Sequence, residues 1–124
     1  MRVQQLVAFC LSVATLSLAD PSSNGIMVSN FAAYDGYVYV KCEGGHRSHR
    51  NGPVRAAGWT RFDWGDLSGE GFQEGENCWM VVDVVSGKDG HESGQNFNLA
   101  KSGITGTYAL RGGPLNPEWD RMFS

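Results

Sequence analysis

The sequence predicts an α+β domain in which one short helix packs on a twisted antiparallel sheet, stapled by one disulfide. Two β-branched and aromatic runs, at 36–42 and 78–85, predict the sheet. A capping residue at Asn51, Pro53 near the first helical position and Gly58 just past the end predict a helix of one to two turns at 53–57. The chain has 124 residues, which limits it to one domain.

Residues 1–19 stand outside that domain. Arg2 precedes an apolar run from Leu6 to Leu18, and Ser17 and Ala19 are small residues at the spacing signal peptidase requires, so the segment reads as a cleaved secretory signal. The run is shorter than the ~20 residues of a spanning helix. No second apolar run follows, and no membrane partner is expected. The division is 1–19 signal, 20–35 N-terminal lead and first strand, and 36–124 a single α+β domain. Without residues 1–19 the chain keeps nine basic and thirteen acidic residues. An acidic protein of this size is a poor general binder of phosphate backbones.

Loss of the signal removes Cys10 and leaves Cys42 and Cys78. Two cysteines in an exported chain imply a disulfide across a loop of about 37 residues, worth about 3 to 4 kcal/mol. Two free thiols are the competing reading.

Residues 20–25 form a polar lead without periodicity, and 26–31 is a first strand. In 36–42, Tyr37, Tyr39 and Lys41 share one face and Val38, Val40 and Cys42 the other, the latter expected to be buried. Residues 59–64 alternate as a strand. The segment 65–77, with four glycines and four carboxylates, reads as a surface loop. The near-continuous apolarity of 78–85 predicts a central strand. A second Gly-rich loop follows at 86–93, then strands near 96–100 and 104–110. The tail, 112–123, mixes turn residues with aromatics that dock on the body. The total is one helix and about six strands.

Three features carry chemical potential. His46, Arg47, His49, Arg50 and Arg55 cluster beside the expected helix start and can hold a phosphate, although a solvated loop accounts for them more simply. His46, His49 and His91 lack a nearby further ligand, so no metal is expected, and no other cofactor is implied. Asp63, Asp66, Glu70, Glu74, Glu76, Asp83, Asp89 and Glu92 form an acidic block better suited to solvating a surface than to paired-carboxylate chemistry. Trp59, Trp64, Trp79, Trp119 and four tyrosines could stack on bases or sugars, but a domain this small needs most of them as core.

The order of short motifs resembles the fungal guanyl-specific ribonuclease fold, in particular the ribonuclease-like secreted effectors of powdery mildews and other plant-pathogenic fungi. Tyr39 to Gly44 followed by Val54 to Ala57 is similar to the family's Tyr-x-Cys-x-Gly start and helix. Phe62 to Phe72 aligns with its Tyr-Pro-His strand and Glu-Gly-Phe guanine loop. Asn96 to Leu99, Gly112 to Pro114 and Asp120 to Phe123 resemble its later elements.

Carried over residue by residue, the resemblance puts Trp64 where the strand histidine belongs and Asn96 where the glutamate base belongs. It matches Arg121 to the phosphate-binding arginine and Glu70 to the guanine-reading carboxylate. Trp64 cannot donate a proton and Asn96 cannot accept one from a hydroxyl at neutral pH. The chain also stops at Ser124, before the family's final strand.

The resemblance therefore implies a microbial-ribonuclease-like scaffold without ribonuclease chemistry, a pseudoenzyme and virulence factor. It would be secreted, monomeric and possessed of a binding site drawn from Arg121, Glu70, Trp64, Phe62, Asn96, Arg55, His46 and His49. Its partner would be a host protein or RNA. Two alternatives stay open. One is an active endoribonuclease using His46 or His49 with Arg121 and Arg55. The other is an unrelated disulfide-stapled β-sandwich interaction module, like the plant self-incompatibility-like secreted proteins, which absence of a helix at 53–57 would favour.

Overall fold

The structure, a computed structural model, describes residues 20–122; the expected signal at 1–19 lies outside them. Nine strands run β1 (Ser22–Asn30), β2 (Gly36–Cys42), β3 (Asn51–Val54), β4 (Trp59–Phe62), β5 (Asn77–Val84), β6 (His91–Glu92), β7 (Phe97–Leu99), β8 (Ile104–Gly113) and β9 (Asn116–Met122). One helix, α1 (Trp64–Gly69), joins β4 to β5.

The strands join in the order β3-β2-β5-β7-β1-β8-β9, with β4 added beside β1 and β6 beside β5. The sheet is mixed. β1 lies parallel to β8, from Ile26 opposite Gly106 to Asn30 opposite Leu110, and parallel to β7. The other pairings are antiparallel. Inner faces of β2 and β5 share one core with those of β1, β4, β7 and β8, so the sheet folds over on itself around Ile26, Val28, Val38, Val40, Phe62, Met80, Val82, Phe97, Tyr108 and Leu110. Asn51 Nδ2 donates to Thr60 Oγ1 at 3.0 Å, tying β3 to β4.

The α+β expectation is overturned: the chain is a β protein, not a sheet covered by a packed helix, and it does not have a microbial-ribonuclease-like architecture. Residues 53–57 are not helical. Asn51–Val54 is a strand on β2, with Val54 opposite Gly36 and buried. A helix of five residues closes almost no backbone bonds of its own, whereas the strand gains a ladder and a buried β-branched side chain. Gly52 sits at φ +136°, where a Cβ would meet the Gly36 carbonyl oxygen at 2.9 Å.

The helix that does form lies where a loop was expected. Asp63 caps it, accepting from Asp66 N at 2.8 Å, while the Asp66 carboxylate accepts from Asp63 N at 3.0 Å. Such a reciprocal box satisfies two orphan N–H groups, and Leu67 anchors the turn in the core. The polar lead is also structured, because β1 begins at Ser22 and the buried Ser23 Oγ accepts from Gly106 N at 3.1 Å.

Other expectations hold. Val38, Val40 and Cys42 face the core, and β5 lies inside the sheet between β2 and β7. Cys42 and Cys78 are paired directly across β2 and β5 and are joined by a disulfide. The tail forms a β8–β9 hairpin, and Trp119 Nε1 reaches the Ser93 carbonyl at 2.9 Å.

Candidate functional site

Period-two alternation puts Tyr37, Tyr39 and Lys41 of β2 on the outer face of the sheet. Register sets them opposite Asp83, Val81 and Trp79 of β5. The segment leaving β2 folds back over this face: Lys41 bridges to Arg47, and Ser48 N bonds the Val40 carbonyl at 2.8 Å.

Two stacks result. The Arg47 guanidinium carbon lies 4.7 Å from the Tyr39 ring centre, and that of Arg50 lies 4.5 Å from Tyr37. Arg50 Nη1 also donates to Asp83 Oδ2 at 2.9 Å, and the hydrogen bond to Asp83 holds the guanidinium above its usual pKa. Burial and, after it, the Asp83 charge push the Tyr39 phenol up, while Arg47 and Lys41 oppose the shift.

Towards the disulfide end of the strands the face opens into a groove of about 360 Å³ lined by Glu43, Trp79, Glu92, Gly94 and Asn96. Trp79 Nε1 donates to Glu92 Oε1 at 2.8 Å, and Lys41 Nζ lies 3.4 Å from the same oxygen. These two donors, the indole foremost, hold the Glu92 carboxyl below its ordinary value. Asn96 Nδ2 donates to Asn77 Oδ1 at 2.6 Å, and Arg121 Nη1 donates to the Asn96 carbonyl.

A second cluster gathers His46, His49 and Glu70. His49 Nδ1 is 2.6 Å from Glu70 Oε2, and its backbone N donates to Glu70 Oε1 at 2.9 Å. His46 Nδ1 is 3.2 Å from Glu76 Oε1, its Nε2 is 3.3 Å from the Glu70 carbonyl, and its ring stacks on Phe72 at 3.9 Å. These contacts tie the β2–β3 connection to the loop after α1.

The residues proposed from sequence thus separate. His46, His49 and Glu70 come together, and Asn96 and Arg121 meet at the groove. Phe62 is wholly buried and Trp64 packs against the core. Arg55 follows Val54 at the Gly36 end of β2, whereas His46 follows the Cys42 end, a strand length of about 20 Å away at 3.3 Å per residue. The convergence of histidines and both arginines that a ribonuclease mechanism requires does not include Arg55.

Most of the acidic block is exposed, as a solvated surface requires, and only Asp83 is buried. Asp63, Asp66, Glu70, Glu74, Glu76, Asp83 and Glu92 each accept a hydrogen bond from within the chain. Sequence reasoning did not assemble Trp79, Glu92, Glu43 and Lys41 into one site. The signal was the alternation of Tyr37, Tyr39 and Lys41 against the matching alternation of 79, 81 and 83.

Among the described residues, no helix is long and apolar enough to cross a membrane, and no group of three or more His, Cys, Asp or Glu side chains could hold a metal. No family model matches the sequence, and no curated protein does. Among solved structures, one described as "Trapped Toxin" overlays on 82% of this chain and 24% of its own, at a TM-score of 0.42 and 10% identity. This chain therefore spans about a quarter of that protein, and the overlay carries no argument about function.

Proposed function

We propose that this protein is an exported, disulfide-stapled β module that acts by binding a partner protein through the outer face of β2 and β5. The observation that carries the reading is the pair of Arg–Tyr stacks on that face, continued by Trp79. Tyr, Trp and Arg are the residues that most often anchor protein interfaces. Rings and guanidiniums already held in place lose little conformational entropy on association.

Export draws support from the character of residues 1–19 and from the Cys42–Cys78 bond, since disulfides persist in oxidising compartments. The absence of a helix at 53–57 favours the β interaction module over a scaffold derived from a ribonuclease. RNA is the weaker partner, because Arg50 and Lys41 are already paired with carboxylates and the chain carries a formal charge of −3.

Site-selective photo-crosslinking tests the reading. A photoreactive residue at position 47, over Tyr39, is expected to capture a protein partner from the surrounding tissue, whereas the same residue at Thr107, on β8, is not. Equal capture from both positions, or capture from 107 alone, sinks the assignment of the face.

A further inference from the structure

Three aromatic side chains lie on the outer face of β2 and β5, and two are covered. Arg50 caps Tyr37 and Arg47 caps Tyr39, but no aromatic ring or cation of the described chain stacks on Trp79, which lines the groove. Its indole nitrogen is already bonded to Glu92, which fixes the ring edge and leaves the ring itself as the contact surface.

The polar groups around it are set in advance. Glu92 is held by Trp79 and Lys41, and Asn96 by Asn77 and Arg121. The Glu43 carboxylate is exposed and has no partner among the described residues; only its backbone N is engaged, with the Asn77 carbonyl at 2.9 Å. The Glu43 and Glu92 carboxylates and the Asn96 amide oxygen offer acceptors, and Asn96 Nδ2 has a second hydrogen to donate. The charges facing the groove or behind its wall are two negative, Glu43 and Glu92, and two positive, Lys41 and Arg121.

A ligand that matches this inventory is uncharged, rich in hydroxyl donors and flat and apolar on one face. A gluco-configured pyranose has those properties, because equatorial hydroxyls leave its axial C–H bonds as an apolar face for the indole. A phosphate would meet two carboxylates, and an ammonium gains little where the charges balance. The groove also falls at the small end of the 300–1,000 Å³ range of ligand clefts.

We infer that the Trp79 groove is a saccharide subsite that takes a pyranose ring of a neutral β-linked oligosaccharide. The inference rests on the β2–β5 face being the recognition surface and names one of its ligands. The sugar can belong to a glycan on the partner protein or to a free polysaccharide, and the shared chemistry is the ring.

The test titrates the purified protein with cellotetraose, N-acetylglucosamine tetramer, glucosamine tetramer and guanosine monophosphate, read by tryptophan fluorescence and calorimetry. Saturable binding of a neutral tetramer is expected. Trp79→Ala should weaken it about tenfold or more, Trp79→Phe and Glu43→Gln less, and Trp59→Ala not at all. Melting curves of each variant separate loss of the site from loss of the fold. A preference for one neutral tetramer assigns the substituent at C2, hydroxyl or acetamido, and binding of a glycopeptide more tightly than of its free glycan assigns the source to a glycoprotein.

Three results overturn the subsite: no saturable binding of either neutral tetramer, binding that Trp79→Ala leaves unchanged in a folded variant, or preference for the glucosamine tetramer or the nucleotide. None of them removes the protein-binding reading, which position-47 crosslinking decides independently.

Discussion

Trp79 Nε1 and Lys41 Nζ converge on one oxygen of Glu92, at 2.8 and 3.4 Å, so a single carboxylate orients the indole of β5 and the ammonium of β2. That carboxylate joins the two strands on the exposed side, while Cys42 and Cys78 join them on the buried side.

The Glu92 arrangement has a defined pH dependence. Its carboxyl is depressed from 4.5, first by the bond from Trp79, so the stability it contributes is present above the unfolded value and is lost as pH falls through the lower folded one. Acid titration of tryptophan fluorescence should show a transition below pH 4.5 that Glu92→Gln abolishes. An unchanged acid transition in that variant counts against the coupling.

Burial raises the phenols of Tyr34 and Tyr108 from 10.0 to about 12. Both are neutral in the fold and would ionise near 10 once unfolded. Their contribution is therefore complete below pH 10 and is lost as pH rises towards 12. Near-ultraviolet absorbance titration should show these two phenols ionising late, together with unfolding. Ionisation of all tyrosines near 10 in the folded protein would contradict this.

Asn30 is buried and fully used. Its Nδ2 donates to the Tyr34 and Val54 carbonyls at 2.8 and 2.9 Å, and its Oδ1 accepts from Ala32 N at 2.8 Å. Asn30→Ala strands three buried backbone groups and should destabilise by about 2 to 4 kcal/mol. Denaturant unfolding measures it, and a loss under about 1 kcal/mol means that the network is dispensable.

Cys42→Ser with Cys78→Ser should cost about 3 to 4 kcal/mol through the freed unfolded chain. Since both cysteines are buried, reductant should act on the native protein only as it opens. Rapid reduction under native conditions, with no change in melting temperature, is the contrary result.

Much of the sheet was legible in sequence because alternation separates the two faces of a strand, although Tyr39, Val81 and Asp83 on the outer face are buried as well. Val38, Val40 and Cys42 against Tyr37, Tyr39 and Lys41 settled both faces of β2 before any pairing was known. The parallel union of β1 and β8 was not legible, since it joins segments some eighty residues apart by backbone bonds that leave no local pattern.

The helix error has a more instructive cause. Asn51, Pro53 and Gly58 are turn-forming residues as well as helix punctuation, and β2 offered that segment a ladder. The true helix carried its own signal in Asp63 and Asp66, a capping pair three residues apart, which the surrounding glycines obscured. The groove stayed hidden because its lining comes from three separate stretches of the chain, at Glu43, at Trp79 and from Glu92 to Asn96.

Catalysis is the sharpest rival to recognition, and the His49–Glu70 pair is its best foothold. The most direct measurement is incubation of the purified protein with guanosine-containing RNA across a salt series, beside His49→Ala and Arg121→Ala. The account predicts intact RNA in every case and no retention at physiological salt. Cleavage that disappears in His49→Ala and persists in Arg121→Ala would contradict it and make the histidine cluster the active site.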